Sequence, residues 1–254
     1  MKRIDNPSDV ALTQYEGEPE DTTQEIILKI AGAIFPPVGL ATALRDHFSA
    51  QTRYERILRV FVALKSDIES IQKESTQNKK RADAIEDRLR SPEFTEAILT
   101  AAEEAARTAE SRKLDRLASI LANGVDPDVL QPEDDLASFV RDVSQLSELD
   151  IKTMNVIFST SQLQGFIGGS VFSTEASDSS GAEKPFDYLG KALLESAALE
   201  KIKDDDFYST AYRLVGFGLA LEAPSHTGRR QANNLSFLPT KRGRKLIALL
   251  KKPH

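Results

Sequence analysis

The sequence predicts a mostly α-helical protein with one small β-hairpin near its C-terminus. Three observations carry this. Residues 38–90 contain no proline and a single glycine, Gly39, so nothing in them forces a helix to stop. Apolar residues recur three and four apart through most of the chain, the period of a helix face. Only "LALEAP" and "LSFLP", on either side of the polar, glycine-containing "SHTGRRQANN", read as paired strands.

Composition sets the outer bounds. The chain has 254 residues, enough for one large domain or two small ones. Charged residues are 28% and hydrophobic residues 40%, the balance of an ordinary globular chain. Cysteine is absent, which excludes disulfides and thiolate-held metals and fits a cytoplasmic protein. Residues 1–22 are acidic and polar without an apolar core, so they do not read as a signal peptide. The net charge of −6 is unevenly placed. Residues 1–200 carry 22 Lys/Arg against 35 Asp/Glu, or −13; residues 201–254 carry 11 against 4, or +7. The basic part is either a solvated tail or the contact for an anionic partner.

Residues 1–21 read as a disordered acidic tail, with "YEGEPED" at its centre. Residues 22–146 read as a helical hairpin, a coiled coil and a helical bundle. Thr22 with Glu25 forms a capping-box pattern. The helix it opens ends at Pro36 and Pro37, which lack an amide proton and push Phe35 out of the helical region. The result is "KIAGAIFPPVGLATAL", two apolar arms of about ten residues each around a Pro-Pro turn. Each arm is about half the length that crosses a bilayer. The tip residues Ile34, Phe35, Pro36, Pro37 and Val38 are candidates for a buried or oligomer contact, or for peripheral contact with a membrane.

Over residues 54–89 an apolar seam runs through Tyr54, Ile57, Phe61, Leu64, Ile68 and Ile71, then Ser75, Asn78, Ala82, Ile85 and Leu89. The spacing alternates three and four, the heptad pattern of a coiled coil, intramolecular or dimeric. A continuous helix over residues 38–90 would be roughly 80 Å long at 1.5 Å per residue. Polar Ser75 and Asn78 either set its register or mark a fold-back.

"SPEF" supplies Ser91 as N-cap and Pro92 at the first helical position. The Ala-rich helix that follows reads as continuous to Asn123-Gly124, where Gly124 suits a left-handed C-cap and Pro127 prevents continuation. A helix over residues 133–145 buries Leu136, Phe139, Val140 and Val143 on one face.

Residues 147–254 form a second module. Ser147 and Asp150 have capping-box spacing before "ELDIKTMNVIF". An inserted Gly/Ser-rich loop covers residues 161–185. Helices follow in "FDYLGKALLESAALEKI" and in "DDDFYSTAYRLVGFG", the second led by three aspartates that suit a helix N-terminus. The hairpin comes next, and Thr240 caps "KRGRKLIALL".

The segments "YRLVGFGLAL" and "LSFLPTKRGRKLIALL", in the order helix, helix, helix, hairpin, helix, resemble a winged helix-turn-helix over about 100 residues. That resemblance implies a wing, with Arg229 and Arg230 at its tip. Lys241, Arg242, Arg244 and Lys245 enlarge the positive patch, so non-specific DNA is a possible partner. The third helix offers only Arg213 as a basic residue, where a base reader normally presents Arg, Lys, Asn or Gln.

A second resemblance rests on "KLDRLASILANGVDPD" and "FVRDVSQLSELDIKTMNVI", which are similar to the core of the bacterial abortive-infection alpha family. It implies an α-helical, non-enzymatic protein of phage defence that acts through homo-oligomerisation or a protein partner. It carries over no catalytic residue and no cofactor. The residues themselves agree. His47, His226 and His254 have no ligand spacing. "GFIGG" fits neither a dinucleotide fingerprint nor a phosphate loop. Adjacent Glu103 and Glu104 do not face each other on a helix. The expected function is therefore contact rather than chemistry, with a DNA-binding regulator as the alternative.

Overall fold

The computed structural model describes residues 51–131, 134–167, 185–223 and 235–251. The expected acidic tail, the apolar hairpin with Ile34, Phe35, Pro36, Pro37 and Val38, and the wing-tip residues Arg229 and Arg230 lie outside them. Among the described residues the chain is mostly helical, with one two-stranded antiparallel sheet. It divides into two compact units. One runs to Gln145 and takes in the residues from Ala248 onward; the other is Leu146–Ile247. The sequence reading carries the second module to residue 254.

The first unit holds α1 (Gln51–Ser75), α2 (Lys79–Leu89), α3 (Pro92–Arg107), α4 (Ser111–Gly124) and α5 (Leu136–Gln145). The seam is real: Ile57, Phe61, Leu64, Ile68 and Ile71 are all buried. Its covering is internal, because α1 packs along α4 and α3 of the same chain. Each such side chain stabilises by about 1.5–3 kcal/mol on burial. Tyr54 lies in α1.

The uninterrupted coiled-coil helix is corrected. It stops at Ser75, and Asn78 starts α2 by accepting the Arg81 amide on its side chain at 3.3 Å. Ser75 is buried and donates its hydroxyl to the Gln72 carbonyl at 2.8 Å. Ser75 and Asn78 thus mark a fold-back, and the seam period continues through it because Ile85 and Leu89 are buried too.

The long Ala-rich helix is also two helices. Thr108 is extended, and its hydroxyl accepts the Glu110 amide at 3.3 Å. Such a local side-chain bond competes with helix continuation. Ser91 caps α3 as expected, accepting the Phe94 amide at 3.2 Å. The helix expected over residues 133–145 begins at Leu136, after Asp135 accepts the Ser138 amide at 3.0 Å.

Gly124 is not a left-handed cap. It is the last residue of right-handed α4, and Val125 after it is right-handed too. Glycine there leaves room for a neighbour: a Cβ would sit 2.6 Å from Leu136 Cδ1, at the end of that side chain.

The second unit holds α6 (Glu148–Ile167), α7 (Pro185–Leu199), α8 (Asp204–Gly216), β1 (Ala220–Ala223), β2 (Ser236–Pro239) and the start of α9 (Lys241–Leu250). Of the loop expected over residues 161–185, the ends are helical, α6 continuing to Ile167 and α7 starting at Pro185, and the rest lies outside the described residues. The helix α6 packs on α7, α8 and β2, and α8 covers β1. The core gathers Met154, Ile157, Leu189, Leu193, Phe207, Leu214 and Phe237.

Two of its turns share one construction. At the end of α8 the Gly218 amide bonds to Val215 O and the Leu219 amide to Leu214 O, both at 2.9 Å. At the end of α7 the Lys201 amide bonds to Ala198 O at 3.0 Å and the Ile202 amide to Ala197 O at 2.9 Å. Both are Schellman caps, which need a left-handed residue at C′. Gly218 has φ 70°, and Lys201 holds the same conformation at φ 60°.

Candidate nucleic-acid interface

The basic turn at the start of α9 is built from backbone outward. The Schellman cap turns the chain at Gly218 and sends Leu219 into β1. After β2 returns antiparallel, with Pro239 opposite Ala220, Thr240 lies beside that turn. Its amide donates to Leu219 O at 3.1 Å and its hydroxyl to Gly218 O at 2.7 Å. The same hydroxyl accepts the Gly243 amide at 3.0 Å, so the expected N-cap is observed. Gly243 then lies directly on the strand entrance: a Cβ there would be 2.0 Å from Leu219 O.

This anchoring holds the run "KRGRK" with Gly243 inward. Lys241 and Arg244 are exposed, and Arg242 and Lys245 are half-buried. No acidic residue occupies the first turn of α9. Four cations at the positive end of a helix oppose its dipole. Of the sequence-predicted cations, Lys241, Arg242, Arg244 and Lys245 stand on the first turns of α9.

Arg213 is not part of it. Asp150 is only 1% exposed, and its Oδ2 accepts the Ser147 amide at 2.6 Å and the Ser147 hydroxyl at 2.7 Å. The Ser147 hydroxyl also accepts the Asp150 amide at 3.2 Å, which completes the expected capping box. Arg213 Nη2 donates to the same Asp150 Oδ2. The one basic residue of α8 is thereby tied to the start of α6. The other end of α8 presents Asp204, Asp205 and Asp206, all exposed.

The inner face of α8 is aromatic. Phe237 of β2 meets Phe207 edge-on at 6.2 Å and Tyr212 edge-on at 5.3 Å. Tyr208 joins them, and its hydroxyl is buried with no hydrogen-bond partner among the described residues. Burial first, and the Asp204 carboxylate second, push its phenol above the usual tyrosine range.

Sequence reasoning missed the ties of the first unit. Arg81 grips Asp126 with two bonds, Nη2 to Oδ2 at 2.5 Å and Nε to Oδ1 at 3.2 Å. The Asp126 bond raises the Arg81 pKa above its usual value. Arg59 holds Asp115 in the same two-donor manner, at 3.1 and 3.2 Å. Asn123 donates to two carbonyls of residues 249 and 251. Only charge sign hinted at the ion pairs, and nothing hinted at Asn123.

Among the described residues no three His, Cys, Asp or Glu gather as a metal site, and no helix is long and apolar enough to cross a membrane. Comparison of the chain with protein-family models, curated proteins and solved structures finds no match.

Proposed function

We propose that the protein acts by contact rather than chemistry, as its resemblance to bacterial abortive-infection alpha proteins implies. One observation carries this reading. Five polar residues of the two resembling segments serve internal ties: Asp115 to Arg59, Asn123 to the end of α9, Asp126 to Arg81, and Ser147 with Asp150 to each other and to Arg213. Those segments form a scaffold that displays other surfaces. The α1 seam is covered within one chain, so a homo-oligomer or protein partner uses a different face. The test is phage plating on cells expressing the chain, combined with its size in lysate before and after infection. The reading expects fewer plaques and a larger complex after infection. Equal plating and an unchanged size would overturn it.

A second reading is favoured by the turn at Lys241 and Arg244. It takes the Leu146–Ile247 unit as a winged-helix-like module that binds duplex DNA. Helix order and an antiparallel hairpin support it. Salt-sensitive binding to a generic duplex tests it.

A further inference from the structure

The second reading leaves the mode of contact open, and the inference here rests on that reading. We infer that the protein holds the phosphate backbone of a nucleic-acid duplex through Lys241 and Arg244, and reads no base sequence. The helix α8, which would enter a groove in a sequence reader, stays out.

Two sets of observations carry this. The first concerns α8. A helix that reads bases places its N-terminal residues against them, between two rows of phosphates. In α8 those residues are Asp204, Asp205 and Asp206, all exposed, and three carboxylates repel the phosphates on both sides. The residue best suited to recognise guanine, Arg213, spends its Nη2 on buried Asp150. Moving Arg213 to a base would leave a buried carboxylate without its cation, which is costly.

The second concerns α9. The backbone that carries its cationic side chains is anchored. Thr240 bonds to Gly218 O and Leu219 O behind them, and Gly243 is pressed onto Leu219. Lys241 and Arg244 are three apart, so they share one helix face. The site is these side chains and not the helix end, since the Gly243 amide is already taken by Thr240. Such a face suits an extended row of phosphates, which demands charge and spacing and no donor–acceptor code.

The test is fluorescence anisotropy of the full chain with two labelled 20-base-pair duplexes, one A·T-rich and one G·C-rich, across a salt series. A poly-glutamate peptide serves as the carboxylate competitor. The expected result is equal affinity for both duplexes within about twofold, and weak competition by the peptide. The Lys241→Ala, Arg244→Ala double variant should lower the salt slope by about 2, at roughly 0.9 per phosphate contact. Its melting temperature should be unchanged, because both side chains are exposed. Replacing Asp204, Asp205 and Asp206 by Asn should leave the two affinities equal to each other. Absence of any duplex binding at low salt would remove the second reading itself. Binding with a tenfold preference for one duplex, or with the full salt slope kept in the double variant, would overturn the inference and leave that reading in place. Equal competition by poly-glutamate would overturn the assignment to phosphate.

Discussion

The side-chain amide of Asn123 donates to the carbonyl of Leu249 at 2.8 Å and to that of Lys251 at 2.6 Å. One lies in the last turn of α9 and the other just past it, where carbonyls have no helical partner of their own. Asn123 is 7% exposed, so water replaces it poorly. Asn123→Ala should lower stability by about 1–3 kcal/mol, the cost of leaving buried acceptors unpaired. Asn123→Asp should cost more at neutral pH, because a carboxylate would face two carbonyl oxygens. Denaturant midpoints of the three proteins check both statements.

Two glycines with crowded surroundings should respond differently to alanine. At Gly243 the new methyl meets backbone, 2.0 Å from Leu219 O. Neither the strand entrance nor the capped helix start can retreat, so Gly243→Ala should cost about 3 kcal/mol or more. At Gly124 it meets the end of the Leu136 side chain. That group can change rotamer, and alanine favours a helix by up to about 1 kcal/mol over glycine. Gly124→Ala should therefore cost about 1 kcal/mol or less. Equal losses in thermal melts would contradict the distinction.

Lys201 occupies the left-handed position that Gly218 fills in the matching turn. A side chain there costs about 1–2 kcal/mol. Lys201→Gly removes that cost, gives back part of it through a freer unfolded chain, and should raise stability by about 0.5–1 kcal/mol. The mirror change, Gly218→Ala, should lower it by a similar amount. A double comparison by urea unfolding checks the sign of each.

Tyr208 should titrate late. Its folded pKa is raised above the unfolded value of 10.0, so the folded state favours the neutral phenol. That contribution is fully present below the unfolded pKa and is lost as pH rises through the folded one. Ultraviolet titration of the native protein should show a tyrosine that ionises above the usual tyrosine range. Tyr208→Phe should abolish that step and flatten the alkaline loss of stability. At neutral pH it should be near neutral, since the hydroxyl it removes has no partner.

The features legible in the sequence were local ones. Ser91, Ser147 with Asp150, and Thr240 bond three residues along the chain, so spacing alone revealed them. The apolar seam was legible because burial imposes a period. The breaks at residues 76–78 and 108–110 were not, because the period runs through the first and alanine-rich composition runs through the second. Gly124 was misread because glycine answers two different needs, a left-handed backbone or the close approach of a neighbour. Of the candidate site, the basic residues of α9 stood together in the sequence and stand together in space. The removal of Arg213 was hidden, since its partner Asp150 lies 63 residues away. The Asn123 contacts span 126 and 128 residues, a separation that leaves no trace in local pattern.

Those last contacts also bear on how the protein is made. Translation delivers α1 to α5 first, with the surface of Asn123 still uncovered. All of Leu146–Ile247 must then emerge before residues 248–251 reach the ribosome exit. The unit made first is thus completed last. During that interval the Asn123 amide is without the two carbonyls that it holds in the finished protein.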